Sequence, residues 1–76
     1  MIIDCAYNEK LCDELIEYLT RRNFQIVRDE NCIIKSNDKA LTEDEIELFL
    51  KLTYKIKKLQ IIMCYNFGVT TLSIRA

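Results

Sequence analysis

Four cysteines carry the most reactive side chains of this 76-residue chain, and their spacing does not form a metal or redox motif. Cys5, Cys12, Cys32 and Cys64 lie too far apart for a Cys-x-x-Cys pair, and the sequence has no histidine to complete a tetrahedral zinc set. The lack of histidine also removes the usual general base near neutral pH. We therefore expect no zinc site, no histidine-based triad, and thiols that pack as small buried hydrophobic groups.

Asp4 and Cys5 lie at the end of the first apolar segment, just ahead of a predicted helix. The free amides of a helix N-terminus can stabilise an anion or a thiolate. No general base, arginine partner or oxyanion signature accompanies them, so the sequence predicts no catalytic residue and favours a protein that is not an enzyme. Asp4 also has an alternative role as a ligand of Mg²⁺ or Mn²⁺, shared with a second copy across a symmetry axis.

Basic residues cluster at the ends of two predicted helices. Lys51, Lys55 and Lys58 share one side of the second helix, and Arg21 and Arg22 end the first. Such a strip can contact phosphates, but basic residues at helix C-termini also complement the helix dipole. With 11 basic and 12 acidic residues and a net charge of −1, the chain lacks the footprint of a general nucleic-acid binder. Nucleic-acid binding is therefore an alternative, second to protein interaction.

The hydrophobic pattern predicts seven elements in the order strand, helix, strand, strand, helix, strand, strand. The first strand spans residues 1–5, and a helix follows from Asn8, its cap, to about Arg22, with Asn23 left-handed at its end. Residues 24–28 and 32–35 form a hairpin, and a Thr42–Glu45 capping box starts a second helix that runs to about Lys58. Strands 60–65 and 69–74 close the chain around its one glycine.

This order predicts a single α+β domain over residues 1–76. It contains the ferredoxin-like βαββαβ unit with an appended C-terminal strand, and it places both helices on one face of an antiparallel sheet. The expected spatial order is fifth, fourth, first, third and second strand. The fourth strand is then internal, which agrees with its apolar residues on both faces.

Strand alternation predicts which residues face away from the helices. The five apolar ones are Ile2, Val27, Ile33, Ile62 and Cys64. A chain this short buries only about 60% of its unfolded surface, so an added source of stability is expected. We interpret the apolar face, or the exposed last strand, as the surface through which the chain forms a homodimer or docks on a larger protein assembly.

The sequence also predicts where the protein works. No apolar run approaches the length of a membrane span, and the first residues do not resemble a signal peptide. We therefore expect a cytoplasmic protein without a membrane partner and, in the favoured interpretation, without a cofactor.

Three segments carry a resemblance to a known family: Ile2-Ile3-Asp4, Asn23-Phe24-Gln25-Ile26-Val27 and Leu41-Thr42-Glu43-Asp44-Glu45. With the order of elements, they make the chain similar to the small CRISPR spacer-acquisition adaptor and nuclease family and its VapD toxin relatives. That resemblance implies a dimer that binds nucleic acid, with a divalent metal such as Mg²⁺ at Asp4. Cys5-Ala6-Tyr7-Asn8 replace the acidic and basic residues that the family has after the strand aspartate, so Asp4 alone carries over.

Overall fold

The computed structural model describes residues 1–54 and 60–75 of the chain. Its strands are β1 (Ile2–Asp4), β2 (Val27–Arg28), β3 (Ile33–Lys35), β4 (Gln60–Asn66) and β5 (Val69–Arg75). Its helices are α1 (Glu9–Arg21) and α2 (Glu43–Phe49), and a π-helical turn over Leu50–Tyr54 continues α2. The α+β class and the order of elements are confirmed.

Helix α1 forms where the sequence supplies both an apolar stripe and two local end signals. Leu11, Leu15 and Leu19 are buried along one side. The side-chain oxygen of Asn8 accepts a hydrogen bond from the amide of Leu11 at 3.1 Å, and Asn23 adopts φ 66° just beyond the last turn. The predicted N-cap and left-handed end are therefore confirmed.

The strand order is β2-β3-β1-β5-β4, so the predicted order is wrong for the last two strands. Strand β5, not β4, lies beside β1 and runs parallel to it, with Ile3 opposite Leu72. The sheet is therefore mixed instead of antiparallel, and the order does not confirm the ferredoxin-like topology. The buried Leu72 and Ile74 alternate with Thr71 and Ser73, a pattern that suits a strand with one face on the core.

One hydrophobic core joins both helices to one face of the sheet. Ile3, Ile34 and Leu72 occupy one row across three strands, and all three are buried in the same cluster as the apolar residues of α1 and α2. The two helices also contact each other, because the rings of Tyr18 and Phe49 lie 5.0 Å apart. The prediction that both helices pack on one face of the sheet agrees with these contacts.

Two local predictions were wrong because a side chain found another partner. Thr42 precedes α2 as expected, but its side chain makes no capping hydrogen bond. The carboxylate of Glu45, expected to complete the capping box, instead accepts hydrogen bonds from Tyr18 and Arg22 of α1.

The second predicted strand is shortened to β2, because the backbone of Gln25 bonds to the side chains of Ser36 and Asp38 instead of to a strand. The predicted end of the second helix at Lys58 lies outside the described residues.

Candidate functional site

The sheet register places the five predicted interface residues on the face away from the helices. Val27 pairs with Lys35, Lys35 with Ile2, Ile2 with Thr71, and Thr71 with Cys64, which forms one row across the sheet. Ile33, Asp4, Ser73 and Ile62 form the next row. Paired residues share a face, and the row between these two contains the buried Ile3, Ile34 and Leu72. Both rows therefore lie on the open side of the sheet.

The open face is not one continuous apolar patch, because polar residues occupy its middle. Asp4, Thr71 and Ser73 lie between an apolar group on β2, β3 and β1 and a second one on β4, and Lys35 interrupts the first group between Val27 and Ile2. Val27 is 70% exposed at one edge and Ile62 is 53% exposed near the other, whereas Ile2 and Ile33 are half-buried. At roughly 4.8 Å per strand, β2 and β4 are about 19 Å apart. The predicted residues therefore form two separate groups.

Strand β4 and the hairpin tip carry the largest exposed apolar side chains in this part of the sheet. Met63 and Tyr65 project from the helix-side face of β4 and are 54% and 71% exposed. Phe67 occupies the turn to β5 and is 97% exposed. With Ile62 and Cys64 on the opposite face, β4 exposes apolar residues on both sides.

The turn between β4 and β5 holds Phe67 in a conformation that large side chains disfavour. Asn66 pairs with Val69, so Phe67 and Gly68 form a two-residue loop. Their φ angles of 51° and 78° are those of a type I′ turn, in which glycine and asparagine are preferred. A fully exposed phenylalanine in this position is unfavourable for folding and contributes little packing.

Strand β4 also lies at an edge of the described sheet without the usual protection of an edge strand. Natural edges are shortened or carry charges, prolines or bulges that prevent pairing with another chain. The opposite edge, β2, is only two residues long and contains Arg28. By contrast, β4 has seven residues, no charge and no proline, and its register with β5 is unbroken from Gln60 to Asn66.

Sequence reasoning missed Met63, Tyr65 and Phe67 because it placed β4 inside the sheet. A signal was present in the sequence, since the strand is apolar on both faces and an aromatic residue occupies its turn. Burial and exposure to a partner both produce an apolar strand, and only the strand order distinguishes them.

Asp4 lies on the open face at the end of β1 and has a structural role. Its Oδ1 accepts a hydrogen bond from the amide of Ala6 at 2.9 Å, which supports a loop where Ala6 and Tyr7 both have positive φ. Among residues 1–54 and 60–75, no group of three or more acidic, cysteine or histidine side chains is placed to hold a metal ion. The role of Asp4 as a metal ligand therefore stays a prediction.

The cysteines divide into three buried thiols and one exposed thiol. Cys5, Cys12 and Cys32 belong to the core, whereas Cys64 is exposed on β4. Burial raises the pKa of Cys5 far above its usual value, and the neighbouring Cys12 raises it further. Burial likewise raises the pKa of Cys12, although Arg28 opposes the shift. Both thiols are therefore protonated near neutral pH and are poor nucleophiles.

The structure pairs part of the predicted basic strip with carboxylates. Arg21 forms an ion pair with Glu17 in the same helix. Arg22 pairs with Glu45 at 2.8 Å and lies over the ring of Tyr18, with its guanidinium carbon 5.6 Å from the ring centre. Lys51 is exposed in the π-helical turn, and Lys55 and Lys58 lie outside the described residues. The described geometry therefore brings no cluster of these cations together.

None of the helices in the described part of the chain is both long enough and apolar enough to cross a membrane. Comparison of the chain with protein-family models, with curated proteins and with solved structures finds no match. The function is therefore inferred from the geometry, above all from the exposed edge strand β4 and its hairpin tip.

Proposed function

We propose that this chain is a non-enzymatic protein-interaction module that binds its partner through β4, the Phe67 tip and the adjoining part of the open sheet face. One observation carries the proposal: β4 is a seven-residue edge strand that exposes apolar side chains on both faces. Isolated exposed apolar residues are ordinary in a soluble domain, but a contiguous apolar edge is typical of an interaction site.

The mode of binding follows from the chemistry of a sheet edge. An added strand gains backbone hydrogen bonds to the free edge, and side chains on alternate positions supply specificity. Here a partner strand gains contacts above and below the sheet, with Ile62 and Cys64 on one side and Met63 and Tyr65 on the other. The same edge serves self-association and docking on a larger assembly.

The available apolar area is large enough for such binding. Aromatic side chains bury roughly 150–250 Å² each, so Tyr65 and Phe67 together offer on the order of 300 Å². At about 25 cal/mol per Å², covering them contributes roughly 7 kcal/mol before the entropy of association is subtracted. The aliphatic residues of β4 and the edge hydrogen bonds add to this, which supports specific binding of moderate strength.

A nucleic-acid adaptor of the spacer-acquisition type, with a metal at Asp4, stays a prediction of the resemblance. The described contacts of Arg21, Arg22 and Asp4 do not favour it over protein interaction. A gel shift against duplex and single-stranded DNA and RNA at two salt concentrations tests it, because phosphate binding must weaken as salt rises. We expect no salt-dependent shift.

Site-specific photo-crosslinking in the producing cell tests the proposed module. Benzoylphenylalanine is incorporated in place of Phe67, and in a matched control in place of Glu47, which is exposed on α2. We expect a discrete adduct from position 67 that is absent from position 47 and is lost when Met63→Lys is added. No discrete adduct from position 67, or the same adducts from both positions, would contradict the proposal.

A further inference from the structure

We propose that the partner at this edge is a second copy of the chain, with the two β4 strands antiparallel about a two-fold axis at Met63. The inference rests on the proposed function, which it deepens by naming the occupant. Pairing of this kind joins the two five-stranded sheets into one sheet of ten strands. It also gives a small domain the additional burial that its size calls for.

The hairpin fixes which backbone groups of β4 point away from β5. In a hairpin closed by a two-residue turn, the residues that flank the turn form a hydrogen-bonded pair, and hydrogen-bonded and non-hydrogen-bonded pairs then alternate. Asn66 and Val69 flank the turn, so Cys64 and Ile62 also bond to β5. The amides and carbonyls of Ile61, Met63 and Tyr65 therefore point outward from the sheet edge.

These outward groups match a two-fold antiparallel partner. With Met63 opposite the partner's Met63, Ile61 lies opposite the partner's Tyr65, and all three outward residues fall at hydrogen-bonded positions. The pairing forms about six backbone hydrogen bonds across the axis. It also uses every residue of β4, since Gln60 then lies opposite the partner's Asn66. Sliding the strands in either direction leaves end residues without an opposite residue.

The charge pattern of the strands selects β4 for self-pairing. Every other described strand contains a charged residue: Asp4 in β1, Arg28 in β2, Lys35 in β3 and Arg75 in β5. Strand β4 contains none. A two-fold axis brings equivalent residues close to each other, so any charge near the centre of the strand would face its own copy. Strand β4 avoids this repulsion along its whole length.

The side-chain pattern is equally self-complementary. Strand β4 has a polar residue at each end and five apolar residues between them, so rotation by 180° returns the same pattern. On the open face Ile62 meets the partner's Cys64, and on the helix side the two Met63 side chains meet. An apolar strand from another protein is the other possible occupant, and the experiment below distinguishes it.

The mass of the full chain in solution, measured by sedimentation equilibrium at tens of micromolar, tests the pairing. We expect twice the chain mass for the natural sequence. Met63→Lys places two ammonium groups directly opposite each other and removes apolar contact, which should weaken dimerisation about a hundredfold. Leu48→Lys is the matched control, because it adds the same charge to an exposed apolar residue of α2, away from β4, and should leave the mass unchanged.

Mixing charge-reversed variants separates loss of pairing from loss of folding. Met63→Lys and Met63→Glu should each be monomeric alone and should dimerise when mixed, since the axis then joins opposite charges. Circular dichroism establishes that each variant retains the fold. A monomeric natural chain, a dimeric Met63→Lys variant, or a mixture of folded variants that stays monomeric would overturn the proposal.

A disulfide tests the register without perturbing the edge backbone. Ile62→Cys places a thiol opposite the partner's Cys64, so oxidised glutathione should link the two chains covalently by accepting two electrons as two thiols lose their protons. In the natural chain the nearest Cys64 pair is diagonal, roughly 7–8 Å apart, which is too far for a disulfide. Failure of Ile62→Cys to form a linked dimer would overturn this register.

The outcomes separate this inference from the proposed function. A monomeric natural chain that still gives a discrete adduct with a different protein from position 67 overturns the homodimer and leaves the interaction module intact. A monomeric chain with no discrete adduct contradicts both.

Discussion

Replacing Phe67 by asparagine is expected to make the isolated chain more stable and a weaker binding partner. Phe67 has φ 51° and is 97% exposed at the hairpin tip, followed by Gly68 with φ 78°. Phe67→Asn creates the Asn-Gly pair that a type I′ turn prefers. The change therefore removes strain from the turn and leaves the core untouched.

The magnitude follows from the conformation of the turn. A left-handed residue with a Cβ is roughly 1–2 kcal/mol less favourable than a right-handed one, and asparagine tolerates the region because its side chain bonds locally. Almost no packing is lost, because the phenylalanine ring is exposed. We expect about 1 kcal/mol of added stability, which for a domain of this size raises Tm by roughly 4–8 °C.

The assay is thermal and urea unfolding of Phe67→Asn in the Met63→Lys background, so that association does not contribute. Phe67→Leu is the control: it keeps the left-handed strain and should show no gain. In the chain that keeps Met63, photo-crosslinking from position 62 should weaken with Phe67→Asn, because the aromatic contact is lost. A fall in the free energy of unfolding would refute the reasoning, since it would show that the ring packs on its own chain.

Three further predictions concern the core and the contacts between the helices. A maleimide probe at pH 7 should label one thiol per folded chain, Cys64, and four after denaturation, as mass spectrometry counts; labelling of Cys5 or Cys12 in the folded chain would contradict their burial. The free energy of unfolding should decrease as pH rises above about 9, because the unfolded Cys5 thiol ionises near its ordinary pKa of 9.0 while the folded one stays protonated. The Cys5→Ala chain should lose less stability over the same pH range. An equal loss in both chains would refute the assignment of this effect to Cys5. Glu45→Ala should destabilise the fold by about 1–2 kcal/mol in urea unfolding, because it removes the acceptor for Tyr18 and Arg22, whereas Glu17→Ala at the exposed pair should change stability by less than about 0.5 kcal/mol; equal effects would argue against the contact between helices.

The parts of the fold that depend on neighbouring residues could be read from the sequence. Helix α1 was predictable because its apolar spacing, the Asn8 cap and the left-handed Asn23 are all local signals. The capping box at Thr42 was predicted wrongly. Its Glu45 side chain accepts hydrogen bonds from Tyr18 and Arg22, which are more than twenty residues away along the chain. A local motif predicts a hydrogen bond only when no distant group competes for it.

The order of the last two strands depended on information that alternation does not contain. Alternation placed Ile2, Ile33 and Ile62 on the open side, and the register agrees. It could not determine whether β4 or β5 adjoins β1, because a buried central strand and a partner-binding edge strand have the same apolar composition. The most exposed candidate residues were missed for that reason.

The central position of β5 has a consequence for how the sheet assembles. Ile2 pairs with Thr71, a separation of 69 residues, so β1 meets its parallel neighbour only after the last described strand has formed. Pairings so distant in sequence slow folding. Until these pairings have formed, an uncharged strand such as β4 is free to pair with other chains. A chain truncated before Val69 therefore loses a middle strand instead of an edge. Without β5, which lies between β1 and β4, nothing joins β4 to the rest of the sheet. Such a fragment should aggregate instead of folding.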